Sequence, residues 1–200
     1  MSTPILVLAT GNPGKAKEVQ SILQGVLVQT LKDRPSIEMP PEDGETFADN
    51  AVLKAEHVAK VLGCAVLADD SGLEVDALDG APGVRSARFA PGSDADRYTK
   101  LLEVMKDVPD DARGARFRCA MAFARPGAAT QVTEGRCEGQ IVRSPSGQGG
   151  FGYDPVFALP EGGRTMAELS SAEKNGLSHR GEALAAMADV LKGHFSLELS

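Results

Sequence analysis

The sequence predicts an α/β protein with a long mixed central β-sheet flanked by helices, arranged as two lobes around a cleft. The chain opens as strand, turn and helix, because the apolar run 4–10 is followed by a Gly- and Pro-containing turn and then by apolar residues at helical spacing. Strand-like segments outnumber those of a strict alternation of strands and helices, which favours a mixed sheet. Glycine-rich loops are scattered along the chain, an arrangement that suits a cleft.

Local signals predict where the first two helices begin and end. Residues 16–26 have apolar side chains at helical spacing, and Asn12 is expected to cap this helix with Pro13 at its first position. A second helix is expected to begin after Thr46, which forms a capping box with Asp49, and to end at Gly63.

The remaining elements follow from hydrophobic periodicity and from breaks at Gly and Pro. Ser178 is the expected N-cap of the last helix. In chain order they are strands 64–70 and 72–78, a loop over 80–92, a helix over 94–108, strand 115–124, its antiparallel neighbour 131–142, a glycine-rich loop and short strand over 147–157, and a final helix over 178–193.

Composition limits the class of protein. The 200 residues fit a single two-lobed domain over 1–200, and the net charge of −7 argues against a nucleic acid or a membrane surface as partner. Three widely spaced cysteines suggest neither a disulfide framework nor a metal knuckle, which indicates a reducing, cytoplasmic location. The N-terminus lacks a basic region and is expected to form a strand rather than a signal peptide.

The stretch "LADDSG" places two aspartates at the end of a buried strand. Successive side chains of a strand point to opposite faces, so Asp69 and Asp70 are expected to have different roles. Clustered carboxylates at this edge of a sheet would suit a hard cation such as Mg²⁺ bound with phosphate oxygens. The alternative is a solvated turn, since the sequence "DDSG" is typical of turns.

Cationic side chains stand at two predicted helix starts, where the helix dipole disfavours them. Lys15 lies in the first turn of the first helix; His179 and Arg180 lie in the first turn of the last, with Lys174 just upstream. A bound anion would offset this cost. The alternatives are an ordinary strand-to-helix turn, because the spacing is not that of a Walker A loop, and a surface helix start with solvated side chains.

The glycine-rich loop carries two of the few aromatic residues. Phe151 and Tyr153 could stack on a planar base or could anchor the loop in the core. On the second helix, Asn50 and Lys54 share a polar face, whereas His57 is expected to be structural or exposed.

Five segments together resemble the inosine triphosphate pyrophosphatase family, the dITP/XTP pyrophosphatases. They are "LATGNPGK", "TFADNAVLKA", "LADDSGLEVDALDGAPGVRSARFA", "GGFGYDPVF" and "EKNGLSHRGEAL". The resemblance implies hydrolysis of non-canonical purine nucleoside triphosphates (ITP, dITP, XTP) to the monophosphate and pyrophosphate. It also implies a two-lobed α/β fold, a homodimer and Mg²⁺.

The resemblance further implies a role for each motif residue. Asp70 would accept the proton of the attacking water and, with Glu42, would serve the metal. Ser71 would touch substrate. The triphosphate would be held by Thr10, Gly11, Asn12, Pro13, Gly14, Lys15 and Lys54, and the base pocket would be built from Phe151, Gly152, Tyr153, Asp154, Lys174, His179 and Arg180.

Two other functions remain open at this point. One is a house-cleaning nucleotide pyrophosphatase of the Maf type, which would act on other modified nucleotides. The other is a non-catalytic nucleotide-sensing module, which the carboxylate pair disfavours because a binder of polyanions gains little from added negative charge.

Overall fold

The computed structural model describes residues 4–23, 25–34 and 37–195. Met1–Thr3 of the N-terminal segment and Gln24 of the predicted first helix lie outside the described residues. Within them the strands and α-helices are, in chain order, β1 Ile5–Leu8, α1 Pro13–Ile22, β2 Leu27–Thr30, α2 Phe47–Leu62, β3 Val66–Val75, α3 Asp94–Val104, β4 Gly114–Ala124, β5 Gln131–Ile141, β6 Phe157–Ala158, α4 Ser171–Leu177 and α5 His179–Phe195.

The strands form a six-stranded sheet in the order β2-β1-β3-β4-β5-β6. β1 runs parallel to β2 and to β3, whereas β5 runs antiparallel to β6. β4 and β5 are neighbours, and their connection over 125–130 is too short for a parallel crossover, so this pair is antiparallel. The predicted mixed sheet is therefore confirmed.

The predicted caps of α1 and α2 are present. The Asn12 side chain accepts hydrogen bonds from the first turn of α1, and Pro13 opens that helix. Thr46 and Asp49 form the capping box of α2, and Gly63 ends it with φ 64°, a left-handed conformation that glycine adopts without a steric penalty. The predicted ends of the first and third helices, at 26 and 108, are wrong, because α1 ends at Ile22 and α3 at Val104.

Three elements differ from the predictions. The two strands expected over 64–70 and 72–78 form the single strand β3, so "DDSG" is not a turn. β2 was not predicted, because its four residues are exposed or half-buried and show no alternation. α4 was not predicted, because it is short and contains Gly176. Ser178 is the C-cap of α4, and its role at the start of α5 stays a prediction.

The chain divides into two compact units, and the division falls within β3, β4 and β5. One unit contains the chain up to Asp70, 119–135 and the chain from Arg180 onward; the other contains Ser71–Arg118 and Arg136–His179. Each unit has its own hydrophobic core. The first is built around Leu6, Leu8, Leu67, Met121, Phe123, Leu184 and Met187, and the second around Leu73, Leu101, Met105, Phe117, Ile141, Phe157 and Met166.

The structure bears on the cysteines and on membrane-spanning helices. All three cysteines are free thiols, and Cys119 and Cys137 are buried, where they pack as small apolar side chains. Among the described residues, no helix combines the length and the apolar character needed to cross a bilayer.

Candidate active site

Asp69 and Asp70 are both buried, with 1% and 6% of their surface exposed, yet their side chains have different partners. We call Lys15, Glu18, Asp69 and Arg180 the Asp69 cluster, and Glu42, Asn50, Lys54 and Asp70 the Asp70 cluster. Both clusters lie in the first compact unit. The two aspartates thus have different partners, and their different roles stay a prediction.

The Asp69 cluster contains two cations and two carboxylates. Asp69 Oδ2 lies 2.9 Å from Lys15 Nζ and 3.2 Å from Arg180 Nη2, and Arg180 also pairs with Glu18. Burial alone would raise the pKa of Asp69, but Lys15, Arg180 and Lys54 outweigh it and hold this pKa well below its usual range. Formal charges within the Asp69 cluster cancel.

These pairs change the interpretation of the cations at the helix starts. Lys15 and Arg180 suggested a bound anion, but Asp69 and Glu18 already supply negative charge to them inside the protein. Asp69 and Glu18 therefore offset the cost at the helix starts without a ligand, and binding of an anion by Lys15 or Arg180 stays a prediction. Asp69 lies 111 positions before Arg180 in the chain, so no local sequence pattern could predict the contact between them.

The Asp70 cluster is organised by two residues of α2. Lys54 Nζ lies 2.7 Å from Glu42 Oε1 and 3.2 Å from Asp70 Oδ1, and Asn50 Nδ2 donates to Asp70 Oδ2 at 3.0 Å. Burial lowers the pKa of Lys54, but Asp70, Asp69 and Glu42 outweigh it, so the net shift is upward and the ammonium is kept. Two carboxylates share one cation, and the cluster retains one formal negative charge.

Asp70 differs from Asp69 in the direction of its pKa shift. Burial raises the pKa of Asp70 above its ordinary value, with Glu42 adding to the effect and Lys54, Lys15 and the Asn50 hydrogen bond opposing it. Two neighbouring carboxyl groups whose pKa values move apart are typical of sites in which one of them handles protons. Asp70 is therefore the better proton acceptor of the two.

The donor set of the Asp70 cluster fits a Mg²⁺ ion that is shared with a substrate. In the part of the chain that the structure describes, no group of three or more His, Cys, Asp or Glu side chains could hold a metal ion, so these side chains do not form a complete metal site. Mg²⁺ is commonly bound by one or two carboxylates, and phosphate oxygens and water complete its shell. Glu42 and Asp70 supply such a pair, held near each other by Lys54.

The turn before α1 uses its backbone amides locally. Asn12 Oδ1 accepts from Gly14 N at 2.8 Å and from Lys15 N at 3.3 Å, and Asn12 N donates to Thr10 Oγ1 at 3.1 Å. These amides are therefore satisfied by the predicted cap. Gly11 and Pro13 are exposed in the same turn, and Ser71 is half-buried in β3.

The second compact unit holds the Phe151 loop, residues 147–154. Lys174 Nζ lies 2.5 Å from Asp154 Oδ2 and 4.6 Å from the centre of the Phe151 ring, a cation–π contact. The same Asp154 oxygen accepts from Phe151 N at 2.8 Å. Lys174 lies in the last turn of α4, where the helix dipole favours a cation, so it is not a cation at a helix start.

Two predicted base-pocket residues of this unit are core residues. Tyr153 is buried, and its hydroxyl donates to Ser86 O at 2.8 Å. His179 is also buried, and its ring stacks on Phe117 with centroids 4.9 Å apart. For Tyr153 the structure matches the alternative of a loop anchor, and contact of either side chain with a base stays a prediction.

Glu18, Asn50 and Asp94 lie outside the predicted set and also contact predicted site residues. Glu18 pairs with Arg180, Asn50 donates to Asp70, and Asp94 Oδ2 accepts from Gly152 N at 2.7 Å. The spacing of Asn50 and Lys54, one helical turn apart, was a signal for Asn50. The sequence around Glu18 and Asp94 carries no comparable signal.

The fold and these clusters define a class: an α/β protein with two clusters of buried lysine–carboxylate pairs that start at adjacent residues of one strand. The chain belongs to the Ham1 family, whose model matches residues 6–190. It is 51% identical over 190 residues to a "dITP/XTP pyrophosphatase" of Desulforamulus reducens, an alignment that covers 93% of this chain and 94% of the relative.

Solved structures agree with this assignment. A HAM1 protein of Coxiella burnetii superposes with a TM-score of 0.85 at 41% identity, covering 95% of this chain and 99% of that one. A structure described as "Nucleoside-triphosphatase / dITP/XTP pyrophosphatase" from Mycobacterium abscessus gives a TM-score of 0.74 at 47% identity, covering 92% and 98%.

Proposed function

We propose that this protein hydrolyses non-canonical purine nucleoside triphosphates, namely ITP, dITP and XTP, to the monophosphate and pyrophosphate. The observation that supports this most directly is the pair Glu42 and Asp70 on the single ammonium of Lys54. That arrangement occurs in a chain about half identical to proteins named dITP/XTP pyrophosphatase. The protein is a hydrolase of nucleoside triphosphates.

In the proposed reaction, Asp70 accepts a proton from the water that attacks the α-phosphorus. The bond from the α-phosphorus to the bridging oxygen breaks, and pyrophosphate leaves. The raised pKa of Asp70 suits a proton acceptor, and the charged Lys54 offsets negative charge on the phosphate oxygens. Mg²⁺, which Glu42 and Asp70 would hold, supplies further positive charge on those oxygens when bound.

We propose that the triphosphate is held by the turn before α1 together with the two lysines. This set contains Thr10, Gly11, Asn12, Pro13, Gly14, Lys15 and Lys54, with Ser71 also touching substrate. Because Asp69 binds Lys15 Nζ, this lysine is fixed in place before substrate arrives. A fixed cation costs less ordering on binding than a mobile one.

We propose that the base is recognised by residues of the Phe151 loop, with Lys174, His179 and Arg180. Phe151 offers a ring, and Gly152 and Asp154 are held in place by hydrogen bonds. Hypoxanthine and xanthine carry a carbonyl oxygen at position 6, where adenine carries an amine. Donors paired with that oxygen would be left unpaired by adenine, which allows discrimination of up to about 10⁴–10⁵. Arg180 would act here in addition to its pairs with Asp69 and Glu18.

The proposal extends to assembly and location. The family resemblance supports a homodimer, which light scattering of the purified protein would test. The acidic net charge of −7 and the free cysteines support a cytoplasmic enzyme that acts on small molecules rather than on nucleic acid or a membrane.

A panel of triphosphates with detection of pyrophosphate tests the proposed function. With Mg²⁺ present, we expect pyrophosphate release from ITP, dITP and XTP and little from ATP. Turnover of other modified nucleoside triphosphates instead would indicate a Maf-type activity. Binding of ITP without release of pyrophosphate would indicate a sensing module.

A further inference from the structure

Asn50 is a fully buried polar residue whose side chain contacts both Asp70 and the backbone of Gly44. Its side chain has 0% exposure and lies on α2, one turn before Lys54. Its amide Nδ2 donates to Asp70 Oδ2 at 3.0 Å, and its Oδ1 accepts from Gly44 N at 2.9 Å. If the side-chain amide were flipped, its oxygen would face the Asp70 carboxylate and its NH₂ group would face the Gly44 N–H. The two partners therefore fix the orientation of the amide.

Gly44 belongs to the segment that carries Glu42. Residues 37–46 contain no helix or strand, so side-chain contacts must hold this segment in place. α2 provides two of them from one face, because Lys54 contacts Glu42 and Asn50 contacts Gly44. The same two side chains contact the two oxygens of Asp70.

The backbone at Gly44 lies very near Asn50. A Cβ atom built on Gly44 would be 2.7 Å from Asn50 Oδ1 and 2.7 Å from Asp49 Cβ, closer than real Cβ contacts. The hydrogen bond between Gly44 and Asn50 therefore depends on the absence of a side chain at position 44.

We propose that Asn50 is a positioning residue that holds Asp70 and the Glu42 segment at the spacing that a shared divalent cation requires. The inference rests on the proposed function, since the cation is useful only with a triphosphate. Residues that orient metal ligands through hydrogen bonds typically change metal affinity or activity by about 10–100-fold when they are removed. A buried asparagine that only stabilised α2 would have no such effect on metal binding.

The Asn50→Ala variant tests the inference with Asp49→Ala as its matched control. Asp49 is the neighbouring residue and takes part in the capping box of α2, but its side chain bonds Thr46 rather than Gly44 or Asp70. In Asn50→Ala we expect a rise of about 10–100-fold in the Mg²⁺ concentration for half-maximal activity and a smaller fall in kcat at saturating Mg²⁺. Asp49→Ala should lose stability and keep the Mg²⁺ dependence of the wild type.

Two measurements on the free protein need no turnover. Amide exchange by NMR should show faster exchange at Gly44 in Asn50→Ala and an unchanged rate at Gly44 in Asp49→Ala. Titration with Mn²⁺, followed by electron paramagnetic resonance, should show weaker binding in Asn50→Ala only. Unchanged exchange at Gly44, or unchanged Mn²⁺ and Mg²⁺ dependence in a folded Asn50→Ala, would overturn the inference.

Gly44→Ala tests the same contact from the other side if Asn50→Ala does not fold. It should shift the Mg²⁺ dependence in the same direction, and a wild-type dependence would contradict the inference. Should the wild-type protein release no pyrophosphate from any triphosphate, the proposed function fails. The exchange and Mn²⁺ measurements would still decide whether Asn50 positions the carboxylates.

Discussion

The Asp69 and Asp70 clusters begin at adjacent residues of one strand, yet they differ in charge balance. In the Asp69 cluster two cations meet two carboxylates, whereas in the Asp70 cluster Lys54 alone meets Glu42 and Asp70. The pKa of Asp69 is accordingly lowered and that of Asp70 is raised. Removing one member of a balanced buried cluster leaves a charge uncompensated, whereas an unbalanced cluster leaves negative charge that a divalent cation can neutralise.

Replacing Asp69 should have the largest effect on stability. Asp69→Asn leaves Lys15 and Arg180 with Glu18 as the remaining carboxylate of the cluster, and Arg180 is only 1% exposed. Breaking a buried ion pair by removing one partner costs about 3–5 kcal/mol. Urea unfolding should show a loss of this size, and a loss under about 1 kcal/mol would contradict the structural role of Asp69.

A second prediction extends the comparison to the Phe151 loop, in which carboxylates of Asp154 and Asp94 accept hydrogen bonds from backbone amides. Asp94→Ala removes the carboxylate that accepts from Gly152 N. A hydrogen bond to a charged group contributes about 1.5–3 kcal/mol, so we expect the KM for ITP to rise about tenfold with little change in kcat. Steady-state kinetics of pyrophosphate release measures both.

Asp96→Ala is the control for that variant. Asp96 also lies in the first turn of α3, where it forms the capping box with Ser93. Its loss should lower stability and leave the KM for ITP unchanged. Equal kinetic effects of the two variants would show that Asp94 acts only through the stability of α3.

The smallest expected effect concerns the helix that carries Lys174. Hydrogen bonds from Ser170 and from Arg164 lower the pKa of Glu173 to about 2 from its ordinary value of 4.5. A lowered pKa stabilises the folded state at pH values above 4.5, and this contribution disappears as the pH falls from 4.5 towards 2. The melting temperature of Glu173→Gln should lie below that of the wild type at pH 7.

The difference in melting temperature between Glu173→Gln and the wild type should shrink as the pH falls through this range. A difference that stays constant down to pH 2 would mean that the capping carboxylate of α4 does not act through its charge. The charge of Glu173 would then have no part in holding α4, the helix from which Lys174 reaches Asp154.

Elements whose signals are local could be predicted from the sequence. The caps Asn12 and Thr46 and the stop at Gly63 depend on neighbouring residues only, and each was predicted correctly. β2 was missed because its pairing with β1, and not an alternating pattern, makes it a strand. β3 was divided in two because "DDSG" favours a turn in isolation.

The motifs singled out Lys15, Lys54, Asp70 and Arg180, but they do not show which side chains pair with which. Arg180 contacts Asp69, which is 111 positions away in the chain, and the functional roles of these residues stay predictions. Asp69 supplies negative charge to these cations from another element, so their position at helix starts does not by itself require an anion, and anion binding stays a prediction. Charge balance inside a cluster requires the tertiary structure.

The Asp70→Asn variant tests the difference between the two clusters most directly. Two quantities are measured and compared with the wild type: the rate of pyrophosphate release from ITP and the free energy of unfolding. Loss of a proton acceptor should lower kcat by about 10²–10⁴-fold. Stability should stay unchanged or rise, because the raised pKa of Asp70 means that its ionised form is disfavoured in the folded protein. A folded Asp70→Asn enzyme that releases pyrophosphate at the wild-type rate would contradict the account.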